Sequence, residues 1–256
     1  MQSIERAVAV LRVFGGRDGQ LSASDIAARV ELPRPVVRRI LLTFEHLGYA
    51  RLYKGLWSLT PRILELGSGY FAASSLPEIA YPVMGDVVES TGETCSLGVL
   101  NDADIIHVAR IEDHRPMPGA VRIGTRLPAA ATAIGKVLLA HLPEPQLESY
   151  LRTVRLDALT PHSITDPSAL RTRLEQVRRQ GYDISIEEYA PGMLAAAVPI
   201  VVDGAAVGAV NVSSTTVRES EQTLEQIVVP VLRTAAERIG RTYRSANPQL
   251  YRSVVG

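Results

Sequence analysis

The sequence predicts an α+β protein in two parts: a small head of three helices and a hairpin, and a larger body on a six-stranded antiparallel sheet. Three observations carry this. In residues 21–60 the apolar residues recur at helical spacing and then, after Gly48, at every second position. From residue 94 onward strand-like runs come in two groups, with helices between them. Charge divides along the same line: residues 1–60 hold 9 Lys+Arg against 5 Asp+Glu, and the remainder holds 18 against 22.

The head opens with residues 3–14, where Ile4, Ala7, Val8, Leu11 and Phe14 fall at helical spacing and Gly15-Gly16 end the run. Ser22 with Asp25 three residues on approximates a capping box for a second helix that stops near Glu31-Leu32. Pro33 and Pro35 suit the opening turn of a third. There Val37, Ile40, Leu41, Phe44 and Leu47 form one apolar stripe. Pro35, Arg38, Arg39, Thr43 and His46 lie opposite, with Leu42 among them. An arginine-bearing outer face suits a major groove, where arginine pairs bidentately with guanine and neutralises phosphate. Arg51-Leu52-Tyr53 and residues 56–59 then flank Lys54-Gly55, a hairpin with a basic tip. Two helices followed by such a hairpin make a winged helix-turn-helix. Ser22, Arg34, Pro35, Arg38, Arg39, Thr43, Arg51 and Lys54 are its expected DNA contacts.

Residues 61–73 carry apolar side chains on more than one face, which reads as a linker helix with surface for a dimer contact. The expected division is therefore a head over residues 1–60, a linker helix over 61–76 and a body over 77–256. In the body a helix over residues 77–90 precedes strands at 94–100, 104–111 and 119–123. A helix begins after Pro128, and others occupy 145–151 and 167–180. Strands at 183–188, 194–202 and 206–213 follow, and a long helix spans 219–243.

At 256 residues the chain is long enough for two cores, and 46% hydrophobic with 21% charged residues is a globular composition. A positive head beside a negative body fits DNA binding by the head alone. Cys95 is the only cysteine, so an intramolecular disulfide is excluded and a reducing compartment is expected. Glu5, Arg6 and Arg12 interrupt the first apolar run, unlike a secretory signal, and no run approaches the ~18 apolar residues of a membrane span. A cytoplasmic protein without a membrane partner is expected.

Catalysis finds little support. The five histidines never fall at i,i+3 or i,i+4, and no nucleotide- or cofactor-binding glycine motif occurs, so neither metal nor cofactor is expected. Cys95 in an apolar strand reads as a small buried hydrophobe. Glu187 and Glu188, adjacent on a strand, point to opposite faces and make no carboxylate pair. What remains is a pocket. The small residues of 129–135 either leave space above a helix N-terminus that attracts anions, with Thr132 adding a hydroxyl, or are small because helix and sheet pack tightly. Asn211 and Ser213 share one strand face, and the Pro191-Gly192-Met193 loop stands ready to close over them.

The whole chain, from about Ser3 to Tyr243, resembles the IclR family of bacterial transcriptional regulators. The likeness is carried by SIERAVAVLRVF at residues 3–14, the winged stretch 21–60, LTPRILELG at 59–67 and TGETCSLGVL at 91–100. IGTRLPAAATAIGKVLLA at 123–140 and GYDISIEEYAPGMLAAAVPI at 181–200 complete it. The recognition stretch and LTPRILELG look closest to the branch regulating protocatechuate and 4-hydroxybenzoate catabolism. The resemblance implies a homodimer or dimer of dimers on palindromic double-stranded operator DNA. It also implies a GAF-like effector-binding body that senses a small organic acid. Carried over by motif, the effector would be lined by Thr132, Ala133, Ile134, Ser185, Met193, Ala195, Asn211 and Ser213. Many relatives place an aromatic, histidine or cysteine before Gly135, where this chain has Ala129-Ala130-Ala131, so the wall is less polar here. Two alternatives stand beside this reading: a regulator of another carbon-source pathway with a different small acid, and a constitutive DNA-binding dimer without ligand.

Overall fold

The computed structural model describes residues 2–15, 19–113 and 121–247. The chain separates into two compact units, Met1–Ser74 and Ser75–Gly256.

In the first unit α1 (Gln2–Arg12), α2 (Ala23–Val30) and α3 (Arg34–His46) precede a hairpin of β1 (Ala50–Tyr53) and β2 (Leu56–Leu59). The capping box is complete, because Asp25 N–H donates to Ser22 Oγ at 3.1 Å and the Ser22 N–H and hydroxyl donate back to Asp25 Oδ2. Those bonds from Ser22, its hydroxyl first, hold the Asp25 carboxyl below its usual pKa. Val37 and Leu41 of α3 are buried in a core with Val10, Phe14, Ile26 and Trp57. Leu47, expected in the same stripe, is instead exposed, because α3 ends at His46 and Leu47 is its cap. At the hairpin tip Lys54 (φ 48°) and Gly55 (φ 82°) both take positive φ, the signature of the primed turns that match strand twist. Leu21 exchanges both backbone hydrogen bonds with Trp57, which ties the entry to α2 onto the wing.

Residues 61–64 form a short 3-10 turn and α4 (Glu65–Ala73) follows. Arg62 of the turn donates to Leu47 O at 3.0 Å, satisfying a carbonyl at the α3 terminus, and stacks over Tyr49. The expected burial of the linker helix is not found within one chain: Leu64, Leu66, Tyr70 and Phe71 are all exposed.

In the second unit α5 (Leu76–Thr91) leads into β3 (Thr94–Asn101), β4 (Asp104–Ile111) and β5 (Arg126–Pro128). Helices α6 (Ala133–Leu139), α7 (Glu144–Thr153) and α8 (Pro167–Gln180) follow, then β6 (Asp183–Ile186), β7 (Met193–Val202) and β8 (Ala205–Thr215). The six strands are antiparallel in the order β5-β4-β3-β8-β7-β6. The chain ends through α9 (Glu221–Thr223), a π turn at Leu224–Val228 and α10 (Val229–Ala246). Helices α5 and α10 cover one face with a core of Met84, Leu97, Ile200 and Leu232. Helices α6, α7 and α8 cover the other with Ile105, Ile134, Val137 and Leu170. Each face thus buries its own helical layer.

Three expectations change. The third strand is Arg126–Pro128 rather than 119–123; Gly119 and Ala120 lie outside the described residues, as do Gly16 and His114, and Arg122 and Thr125 make a turn instead. The last helix is broken into α, π and α segments. Strand β6 ends at Ile186, because Glu187 takes φ +55° and turns the chain out of the ladder.

Candidate functional sites

The exposed side of α3 presents Arg34, Pro35, Arg38, Arg39, Thr43 and His46 to solvent, as the helical spacing requires. They are not equivalent. Arg39 and Thr43 turn toward α1 and line a groove with Ser3, Arg6 and Ala7, and the Thr43 hydroxyl donates to Arg39 O. Arg34 and Arg38 are exposed and do not line that groove; at ~100° per residue they lie on the flank of α3, while Arg39, Pro35 and His46 stand opposite the buried Val37 and Leu41. On the wing Lys54 is exposed over the Tyr53 ring, whereas Arg51 Nε donates to Ser58 Oγ at 3.1 Å. Ser22 sits at the α2 N-terminus with its hydroxyl already engaged by Asp25. A wing and a helix both bearing free cations on a folded three-helix head make a surface for nucleic-acid phosphate.

The second unit contains a cleft between the sheet and the strap leading into α6. Its cavity volume is about 50 Å³, with further space open to solvent. All eight positions carried over by motif line it: Thr132, Ala133 and Ile134 from the α6 start, Ser185 from β6, Met193 and Ala195 from β7, and Asn211 and Ser213 from β8. The sheet register brings them together. Ser185, Ala195 and Ser213 are neighbours in one cross-strand row, and Asn211 lies in a parallel row with Ser96 and Arg110.

The helix end expected at Thr132 is capped in part by Thr132 itself. Helix α6 has only seven residues, and Thr132 Oγ1 accepts from Gly135 N–H at 3.1 Å. Both readings of the small residues hold in part. A Cβ on Gly135 would run into the Ala129 backbone, so that position is small for packing, while Ala131 and Ala133 border the cleft.

Polar atoms that sequence reasoning did not place here decide the cleft's chemistry. His107, Arg110 and Glu188 line it beside Ile105, Leu127, Tyr189 and Leu194. Arg110 reaches the His107 side because the β3–β4 register slips at Leu97/Gly98 and leaves Val108 unpaired. Without that slip, alternation would put residues 107 and 110 on opposite faces. The Arg110 guanidinium donates to Ser96 Oγ at 3.0 Å and pairs with the exposed Glu112 at 3.1 Å. Burial pulls His107 down to a pKa of about 4, so the imidazole is neutral at pH 7. His107 Nδ1, Asn211 Oδ1 and Glu188 Oε2 are buried without a hydrogen-bond partner. Glu188 Oε1 holds Lys136 Nζ at 2.5 Å; Lys136, fully buried, also pairs with Asp183 at 3.3 Å, and Asp183 with Arg173 at 2.8 Å. Glu187 diverges from Glu188, as expected, but in a turn rather than on a strand, accepting from Gly192 N–H at 2.6 Å.

Cys95 is fully buried, its thiol pushed up to about 12 by that burial, and no cluster of three metal-ligating side chains exists among the described residues. No helix of the described residues is long and apolar enough to cross a membrane.

Fold and sites therefore define a winged helix-turn-helix protein with a small-molecule cleft in a separate α+β unit. The chain belongs to the IclR family: residues 69–241 match the bacterial transcriptional regulator IclR C-terminal domain, and residues 3–52 the IclR helix-turn-helix domain. It is 34% identical to the Pca regulon regulatory protein of Pseudomonas putida, over 92% of this chain and 82% of that one. It is 33% identical to the p-hydroxybenzoate hydroxylase transcriptional activator of Acinetobacter baylyi, over 92% and 89%. An IclR homologue from Microbacterium hydrocarbonoxydans, solved in complex with 4-hydroxybenzoate, superposes with a TM-score of 0.79 at 29% identity, covering 95% of this chain and 99% of that one. The protein is a DNA-binding transcriptional regulator with a ligand-binding C-terminal domain, not an enzyme.

Proposed function

We propose that this regulator binds a palindromic operator as a homodimer or dimer of dimers, and that a small aromatic carboxylic acid in the cleft changes its operator affinity. Control of aromatic-compound catabolism genes follows from that reading. The observation that carries it is the cleft: apolar walls, one buried guanidinium, and three buried polar atoms without partners. A buried polar atom left unpaired costs about 1–3 kcal/mol, which a ligand that supplies the missing partner recovers. Arg110 offers a carboxylate a cation whose protein partner, Glu112, is exposed and weakened by solvent. The relatives named for the Pca regulon and p-hydroxybenzoate hydroxylase, and the homologue holding 4-hydroxybenzoate, support the aromatic class.

In the head, Arg38 and Arg39 meet bases or phosphates in the major groove, Arg34 the phosphates near the helix start, and Lys54 and Arg51 the backbone or minor groove through the wing. The exposed Leu64, Leu66, Tyr70 and Phe71 of the linker region supply apolar surface for a second copy. The test is fluorescence anisotropy on the duplex upstream of the protein's own gene, at two salt concentrations, with and without protocatechuate and 4-hydroxybenzoate. Salt-sensitive binding that shifts with one acid is expected. Binding that ignores both overturns the aromatic assignment, and no binding at low salt overturns the operator assignment.

A further inference from the structure

Glu188 stands at the far side of the cleft from Arg110. Arg110 is on β4, near one edge of the sheet, and Glu188 follows β6, the other edge strand, across β3, β8 and β7. The residue is 9% exposed, and its two carboxylate oxygens have different surroundings: Oε1 holds Lys136 Nζ at 2.5 Å, while Oε2 has no hydrogen-bond partner. The charges behind it balance. Lys136 and Arg173 face Asp183 and Glu188, two positive against two negative, joined by contacts of 2.5, 3.3 and 2.8 Å. A ligand therefore needs no charge at this end. What Oε2 lacks is a neutral hydrogen-bond donor, and a carboxylate acceptor strengthens such a bond.

Resting on the aromatic-acid reading above, we propose that Glu188, held in place by Lys136, is the specificity residue that accepts a hydrogen bond from a hydroxyl on the acid ligand. The effector is then a hydroxylated acid, with its carboxylate toward Arg110 and its hydroxyl toward Glu188. The network behind Glu188 makes this more than chance proximity. The Glu188 backbone carbonyl accepts from the Ser163 hydroxyl at 2.8 Å, and Lys136 fixes the side chain, so Oε2 is presented with little freedom to turn away. A site built to bond a hydroxyl rejects the analogue without it, because its own buried group stays unpaired.

The experiment is calorimetric titration of the full-length protein with 4-hydroxybenzoate, 4-aminobenzoate, 4-fluorobenzoate and benzoate. The first two carry a donor at the same ring position; the last two carry none. Donor-bearing acids are expected to bind at least ~10-fold more tightly. In Glu188→Gln that ratio falls below ~3-fold, while the Kd for benzoate stays within the same ~3-fold, reflecting loss of the ionic acceptor alone. The wild-type ratio needs no variant, and so carries the test even where Glu188→Gln fails to fold. Equal binding of all four acids keeps the aromatic reading and overturns this inference, as does a ratio unchanged in Glu188→Gln. Binding of none overturns both.

Discussion

Arg38 and Arg39 adjoin in sequence but not in role. Arg38 is exposed on the flank of α3 away from α1, whereas Arg39 lines the groove against α1. Arg38→Ala is expected to lower operator affinity by ~1–3 kcal/mol and relax specificity at one base position, with a smaller loss for Arg39→Ala. Anisotropy on single-base operator variants checks this, and equal losses for both would remove the distinction. Lys54→Ala should weaken all sequences alike and reduce the salt slope by about 1. His107 gives a pH prediction with a definite sign. Its folded pKa, near 4, lies below the unfolded value of 6.5, so between these limits the unfolded chain binds more protons and stability falls as pH falls. Across that window the loss is about 3 kcal/mol. His107→Gln should flatten that part of the acid limb in denaturant titrations, and an unchanged limb would mean that His107 is not the buried group responsible.

At the scale of elements, the strap over residues 128–135 is set by close approach. A side chain on Gly135 meets the Ala129 backbone, and one on Gly98 of β3 would lie 2.8 Å from Ile134 Cγ2. Gly135→Ala is expected to destabilise the second unit by ~1–3 kcal/mol or more, since backbone on the facing side cannot yield. The same substitution at Gly124, which has open space but a φ of +84°, tests conformational strain alone at about 1 kcal/mol. Chemical denaturation of both variants separates crowding from strain. Much of the head was legible at this scale. The capping box, the proline start of α3 and the Lys54-Gly55 turn each depend on residues within a few positions of one another. Leu47 reads in sequence as one more apolar position of the α3 stripe, yet it is the helix cap and is exposed.

For the whole molecule, the regulation proposed above is linkage: in a homodimer, an acid that binds two arrangements of the heads unequally shifts operator affinity by that difference. On the proposed palindromic operator, half-sites ~34 Å apart require both recognition helices to be presented together, so we propose that a pivot near α4 misaligns them. A disulfide engineered between the two α4 helices of a dimer should abolish the effect of the acid on operator binding, and a locked dimer that still responds would exclude the pivot. Binding at 100 times Kd should stabilise the protein by ~2.7 kcal/mol; absence of any thermal shift across the acid panel would favour a constitutive DNA-binding dimer.

By itself the sequence determined the order of elements, the winged head with its cationic face, and the residue types at the cleft's floor. These follow from periodicity, caps and turns, which act over a few residues. Only the tertiary structure decided which polar groups share the cleft. Lys136 reads in sequence as one charge inside an apolar run, and its partners Asp183 and Glu188 lie 47 and 52 positions away. Arg110 joins His107 only through a register slip between β3 and β4 that neither strand announces. A charge is buried only where the fold supplies its counter-charge, and those partners come from elements that meet only after the sheet has closed and α6 has packed upon it.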